Sequence, residues 1–131
     1  MVHAPGEDRH PLRGSGPQVV ERARDVTREF LSALRPDDGT EADALLLVVT
    51  ELVANAVRHA GGLTGFRLTA GPGLVNVSVD DASCSPPLPR ETKTAEPGGF
   101  GWPLVQELSV NVQVKVHGDG KTVSAVVPLS H

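Results

Sequence analysis

Apolar residues near the start of the chain recur at spacings of three and four, which is the periodicity of an amphipathic helix. They predict a first helix over residues 19–34, closed by the turn-forming residues 36–39 (Pro-Asp-Asp-Gly). The residues of this apolar face are Val19, Ala23, Val26, Phe30 and Leu34.

A second amphipathic helix is predicted from about Thr40 to Ala60, because Thr40 is a suitable N-cap and Gly61 and Gly62 provide a stop. Its apolar positions fill one arc of a helical wheel drawn at about 100° per residue. They are Leu45, Val48, Val49, Leu52, Val53, Ala56, Val57 and Ala60. We therefore expect this arc to pack on a hydrophobic core.

Beyond Gly62 the periodicity changes to two, as in a β-strand with one buried face. Residues 66–70 and 75–79 both alternate in this way, and the sequence Gly-Pro-Gly at residues 71–73 separates them. Two alternating runs joined by such a short turn predict a β-hairpin.

The second half of the chain contains a long segment without periodicity. Residues 80–99 hold four Pro and two Gly, and loops of that length in compact domains are mostly functional lids or disordered. A short helix is predicted over residues 103–108, followed by strands over 110–116 and 123–129 with a turn between them.

The order of elements predicts an α+β domain. We expect a two-layer α/β sandwich, with helices packed on one face of a mainly antiparallel mixed sheet. Residues 18–131 would form this domain. Residues 1–17, with three Pro, three Gly and no apolar periodicity, predict a flexible N-terminal tail with a short edge strand near residues 10–13.

Length and charge narrow the classes of function. A chain of 131 residues and 13.7 kDa fits one domain. Its 16 acidic and 12 basic side chains give a net charge of −4, so nothing supports direct nucleic-acid binding. Three Phe, one Trp and no Tyr likewise argue against a stacking platform for single strands.

The expected location is cytoplasmic. One cysteine cannot form an internal disulfide, which favours a reducing compartment. The apolar run at residues 45–49 is far too short to span a bilayer, and charged residues 7–9 do not fit a signal peptide. We therefore expect no contact with a membrane.

The second helix also carries a polar arc beside its apolar one. Glu51, Asn55, Arg58 and His59 cluster there, with Glu51, Asn55 and His59 one turn apart along a single edge. A carboxylate one turn from a carboxamide can hold a hydrated divalent cation and activate a nucleophile. The alternative is an ordinary solvated helix face, although Asn is a poor helix-interior residue with no benefit on such a face.

Two further segments have the composition of ligand-binding turns. Asp80 and Asp81 directly follow an alternating strand, where a carboxylate can accept hydrogen bonds from the exocyclic amine of a base, or simply form a turn. Residues 98–101 (Gly-Gly-Phe-Gly) precede a helix that Pro103 could open, so their backbone N–H groups could converge on an anion. Ordinary loop flexibility remains the other interpretation of these glycines.

Taken together and in this order, these segments resemble the ATP-binding domain shared by gyrase-type topoisomerases, histidine kinases and the serine kinases that act as anti-sigma factors. Residues 50–60 (TELVANAVRHA) resemble its N-box, and residues 79–83 (VDDAS) stand in the place of its first glycine box. Residues 99–105 (GFGWPLV) resemble its second glycine box, and residues 120–123 (GKTV) its adenine-proximal strand. The resemblance covers about residues 18–129, and the small size selects the anti-sigma-factor branch.

The resemblance implies roles for the polar arc. Glu51 would be the catalytic residue, orienting or deprotonating the attacking hydroxyl. Asn55 would coordinate the Mg²⁺ that bridges the ATP phosphates, and Arg58 and His59 would border the phosphate pocket. The cofactors implied are ATP and Mg²⁺.

It also implies roles for the strand ends and the lid. Asp81 would accept a hydrogen bond from the adenine amine, with Thr122 close by, and Gly99 and Gly101 would shape the phosphate lid. Two positions depart from the family pattern: Phe100 stands where a basic residue is common, and Trp102 replaces the usual Leu. The first glycine box also lacks its glycines.

The implied partners are a sigma factor and an anti-sigma-factor antagonist, whose serine or threonine would be phosphorylated. Members of this branch commonly form dimers, so the resemblance leaves open whether the protein is a homodimer. Two alternatives stay open as well. One is a catalytically inactive, nucleotide-binding or nucleotide-independent regulator of the same fold, and the other is an α+β interaction domain that binds no nucleotide.

Overall fold

The computed structural model describes residues 7–10, 13–59, 61–83 and 101–131, with only the backbone described for residues 7–10. Within these ranges, helices and strands follow in an order close to the predicted one. The elements are β1 (Glu7–His10), α1 (Pro17–Leu34), α2 (Gly39–His59), β2 (Leu63–Gly71), β3 (Leu74–Asp81), α3 (Gly101–Leu108), β4 (Asn111–His117) and β5 (Gly120–Pro128).

The helix ends follow from local chemistry. α1 begins at Pro17, because the first turn of a helix does not use the N–H that proline lacks. It ends at Arg35, which takes a left-handed conformation and donates its N–H to the Leu31 carbonyl. At the start of α2 the expected N-cap was wrong by two residues. Asp38, not Thr40, caps the helix, because its carboxylate accepts the Thr40 N–H at 2.8 Å.

The five described strands form one sheet in the order β1-β2-β3-β5-β4. Each described pairing is antiparallel, so the mainly antiparallel sheet is confirmed and none of these pairs supplies the parallel part of a mixed one. The edge strand β1 lies three residues earlier than expected and pairs with β2. Gly14 then exchanges two backbone hydrogen bonds with Leu63, which ties the start of the chain to the same strand.

The hydrophobic core lies between one face of the sheet and the helices, as predicted. α2 is central, since it packs against α1, α3, β3 and β5. Most of the apolar residues expected to face the core are buried, including Leu45, Val49 and Val53 of α2, and Leu34 and Val57 are partly buried against it. Ala60 lies outside the described residues. No helix in the described ranges is long and apolar enough to cross a membrane.

The opposite face of the sheet is polar. Ser78 of β3 lies within 3.2 Å of Ser124 on β5 and accepts a hydrogen bond from Asn76. An antiparallel sheet with one buried and one polar face produces the alternating burial seen along β5. Each residue of β3 and β5 is therefore assigned to a face by its position in the ladder.

The strands β3 and β5 approach each other closely at Gly120, the first residue of β5. Its φ is +152°, and a Cβ there would come within 2.0 Å of the Asp81 carbonyl oxygen. A side chain cannot be accommodated in that space, nor is that backbone conformation favourable for an L-residue. Glycine at this position is what lets β5 begin directly against the end of β3.

We expect Gly120→Ala to lower the free energy of unfolding by roughly 1–3 kcal/mol or more, from strain and displaced backbone. Urea denaturation followed by circular dichroism measures the loss. Gly118→Ala is the matched control in the same turn, because a Cβ at Gly118 meets nothing within 4 Å. Equal stability of the two variants would contradict the close approach described for Gly120.

Candidate functional site

The predicted catalytic residue Glu51 and the predicted Mg²⁺ ligand Asn55 lie on one edge of α2. Glu51 and Asn55 are one turn apart, about 6 Å along the helix axis, and both are half-buried. Leu52 and Ala56, their immediate neighbours in the sequence, are buried in the core. This packing sets the rotation of the helix and leaves the Glu51 and Asn55 side chains at the border between core and surface.

Glu51 has an unusual environment for a carboxylate. Its Oε1 atom is buried and has no hydrogen-bond partner among the residues that the structure describes. Burial raises the pKa of Glu51 above its ordinary value, and the positive charge of Arg58 opposes this rise. A buried acceptor with an elevated pKa is typical of a group that takes up a proton or meets a ligand.

The other two residues of the polar arc follow on the same helix. Arg58 is exposed and close enough to act electrostatically on Glu51. His59 is the last residue of α2, and its side chain lies outside the described part of the chain. The roles predicted for both at a phosphate pocket stay predictions.

Asp81, the predicted adenine acceptor, is buried and already engaged. Lys121 of β5 places its Nζ 3.0 Å from Oδ1 and 2.9 Å from Oδ2 of this carboxylate. The Ser83 N–H donates a further hydrogen bond of 2.9 Å to Oδ1. Both members of the ion pair are almost fully buried, at 3% exposure for Asp81 and 5% for Lys121.

Thr122, predicted to lie near the adenine together with Asp81, is paired with Asp80, and its role at a base stays a prediction. The ladder pairs Asp80 with Thr122 and Asp81 with Lys121. The Thr122 hydroxyl donates to Asp80 Oδ1 at 2.5 Å and lies 3.2 Å from Nε2 of His117. Because neighbouring residues of a strand point to opposite faces, Thr122 and Asp81 are directed to opposite sides of the sheet.

Sequence reasoning missed Lys121, although a signal was present. Lys121 is in phase with Val123, Ala125 and Val127, which are buried against the helices. Continuing this alternation backwards by two residues places Lys121 on the inner face. A cation in phase with an apolar strand face predicts a buried charge that needs a partner.

The predicted lid falls mostly outside the described residues. This applies to Gly99, Phe100 and Cys84. Gly101 is the first residue of α3, two positions earlier than the expected helix start, and Trp102 is half-buried against the core. The role of Gly99 and Gly101 in a phosphate lid stays a prediction.

The described residues contain no group of three or more His, Cys, Asp or Glu side chains able to hold a metal ion. The donor set on α2 still fits Mg²⁺ that arrives with a nucleotide. Mg²⁺ keeps several waters and commonly takes one or two oxygen ligands from protein, with phosphate oxygens supplying others. The half-buried carboxamide of Asn55 provides one such oxygen ligand, one turn from the unpartnered oxygen of Glu51.

Comparison with known proteins decides the family. The sequence profile of the histidine kinase-like ATPase domain matches residues 15–127, which is most of the chain. The chain belongs to this family. This match agrees with the family resemblance that the motifs in residues 50–60 and 99–105 indicated.

Solved structures support the same fold for the ATPase domain. The RsbU and RsbW domains of Rv1364c from Mycobacterium tuberculosis match with a TM-score of 0.68 at 19% identity, over 95% of this chain and 33% of that one. The histidine kinase domain of the blue-light activated histidine kinase EL346 from Erythrobacter litoralis matches with a TM-score of 0.50 at 21% identity, over 82% and 61%.

This ATPase domain thus spans a third of the first of those chains and about three fifths of the second. At these identities the likeness shows the fold alone. Among curated protein sequences, none matches this chain.

The environment of Glu51 leads to a prediction about stability and pH. Because the folded state raises its pKa, ionised Glu51 destabilises the fold at neutral pH, and this penalty disappears below the ordinary value of 4.5. Glu51→Gln should therefore raise the melting temperature at pH 7, with the gain shrinking as the pH falls through 4.5. Thermal melts of both proteins between pH 3.5 and 8 measure this gain in melting temperature.

Glu21→Gln is the control for this measurement, since Glu21 is exposed on α1. It should change the melting temperature little at any of these pH values. A gain from Glu51→Gln that persists unchanged at pH 3.5 would show that burial of the charge is not its cause.

Proposed function

We propose that the protein binds ATP with Mg²⁺ and acts as an anti-sigma factor with serine/threonine kinase activity toward an anti-sigma-factor antagonist. The observation that carries the proposal is the buried, unpartnered Oε1 of Glu51, one turn from Asn55. Membership of the histidine kinase-like ATPase family supports the nucleotide, and the motif resemblance supports the anti-sigma-factor branch.

In this proposal Glu51 acts as the general base. The hydroxyl oxygen of the partner's serine or threonine bonds to the γ-phosphorus of ATP, and the hydroxyl proton passes to the Glu51 carboxylate. The bond from the γ-phosphorus to its bridging oxygen breaks, and ADP leaves. A raised pKa suits this role, because it brings the affinity of the carboxylate for a proton closer to neutral pH.

Asn55 would hold the Mg²⁺ together with the phosphate oxygens, and the ion would supply charge neutralisation at the phosphates. The chain's own contribution is positional. The buried stripe of α2 holds Asn55 and Glu51 on one edge, and exposed Arg58 adds a positive charge one turn beyond. Fixed charges and donors of this kind carry most of the catalysis in phosphoryl transfer.

Control of transcription would then act through protein binding. The domain would sequester a sigma factor, and phosphorylation of the antagonist would prevent release of that sigma factor. The net charge of −4 is consistent with contact to a protein and not to DNA. A homodimer and a cytoplasmic location belong to the same proposal.

One observation favours the second candidate function, a regulator of the same fold that does not transfer phosphate. Phe100 stands where the family pattern has a basic residue in the lid, so one positive charge that could contact the phosphates is missing. A protein that binds its partner without nucleotide turnover does not need that phosphate contact. ATP binding and phosphoryl transfer distinguish the two candidates directly.

We expect Asn55→Ala to weaken Mg²⁺-dependent ATP binding by about tenfold or more, since it removes an oxygen ligand. Isothermal titration with ATP, with and without Mg²⁺, measures this. Asn111→Ala on β4 is the matched control, because Asn111 is exposed on an edge strand. A similar loss with and without Mg²⁺ would contradict the ligand role of Asn55.

We expect Glu51→Ala to lower the rate of transfer to a candidate antagonist by about 10²- to 10⁴-fold, the usual worth of a general base. Its affinity for ATP should stay near the wild-type value. Incorporation of labelled γ-phosphate into the antagonist measures the rate, and Glu21→Ala should transfer at the wild-type rate. Equal losses of binding and transfer would refute the base assignment.

A further inference from the structure

The ion pair of Asp81 and Lys121 stands at the end of an otherwise apolar face. The next inward-facing pairs along the β3–β5 ladder are Val79 with Val123, Val77 with Ala125 and Val75 with Val127. All of these residues are buried beneath the helices. Along this inner face of the β3–β5 ladder, a charged pair takes the place of an apolar pair at one position only, Asp81 with Lys121.

Stability does not account for that replacement. Removing two charges from water costs several kcal/mol per ion, and well-packed apolar pairs are often as stable as a buried ion pair or more so. The ladder itself shows that apolar residues suit this face. A binding role for the Asp81 carboxylate explains the pair better than a contribution to the stability of the fold does.

The hydrogen bonds of Asp81 leave a defined acceptor position. A carboxylate offers about four lone-pair directions. Lys121 Nζ and the Ser83 N–H occupy two on Oδ1, and Lys121 Nζ occupies one on Oδ2. Among the described residues, no donor occupies the remaining lone-pair direction, which belongs to Oδ2. Both oxygens face N–H donors, of Lys121 or of Ser83, so each acts as a hydrogen-bond acceptor.

We propose that Lys121 is a positioning residue for base recognition, holding Asp81 as a fixed, acceptor-only carboxylate whose remaining Oδ2 position takes a hydrogen bond from the exocyclic amine of a purine. The inference rests on the proposed binding of ATP and deepens it. The pair selects a base with an amine at position 6 over one without it. Loss of that amine leaves the buried acceptor unpaired, which is costly.

The test compares ATP with purine riboside triphosphate, which differs from it only in lacking the 6-amino group. Isothermal titration gives both dissociation constants for each variant. We expect the wild type to bind ATP at least tenfold more tightly. In Lys121→Met that ratio should fall at least fivefold, and Lys121→Arg should restore it in part, because the guanidinium again fixes the carboxylate.

Lys115→Met is the matched control, an exposed lysine on the neighbouring strand β4. Its ATP-to-analogue ratio should equal that of the wild type. Lys121→Met leaves Asp81 buried and unpaired, so thermal melting must first show that it folds. If it does not, the double variant Asp81→Leu with Lys121→Met removes both charges and the acceptor, and its ratio should fall to near one.

An unchanged ratio in a folded Lys121→Met or double variant overturns the inference and leaves the proposed function intact, since the pair would then be structural only. Failure of the wild type to bind ATP overturns the proposed function and this inference together. A ratio that falls in the Lys121 variants but not in Lys115→Met supports the positioning role.

Discussion

Burial of one face of α2 against β3 and β5 is the constraint on which the rest of the structure depends. Leu45, Val48, Val49 and Val53 are fully buried there, and each is worth about 1.5–3 kcal/mol relative to exposure. Turning the helix about its axis would expose several of them together. The edge of α2 that carries Glu51 and Asn55 is therefore held in one orientation by packing that involves neither residue.

A second constraint is the register between β3 and β5. A slip of one residue would move Lys121 to the polar face and leave Asp81 buried without a cation. The apolar alternation along both strands opposes such a slip, and Gly120 allows β5 to begin against the end of β3. The buried ion pair and the hydrophobic ladder thus specify the same alignment.

This register separates two polar groups that are adjacent in the sequence. Asp81 and Lys121 lie on the inner face, beneath the helices, while Asp80, Thr122 and His117 interact on the outer face. The outer group forms part of the polar sheet surface, where a solvated face is the expected state of an antiparallel sheet.

Much of the fold follows from the sequence alone. Periodicities of 3.6 and 2 determined the helices, the hairpins, the buried face of α2 and the α+β class, and the spacing of Glu51 and Asn55 on one edge follows from the same helix geometry. The motifs in residues 50–60 and 99–105 indicated the family that the profile of the histidine kinase-like ATPase domain confirmed.

Only the tertiary structure decided which side chains meet across the sheet. Lys121 rather than Thr122 faces Asp81, and Oε1 of Glu51 is buried without a partner among the described residues. The cap of α2 at Asp38 and the place of β1 were likewise settled there. Local patterns fix the period of an element, whereas cross-strand partners and burial depend on the register and packing of segments far apart in the chain.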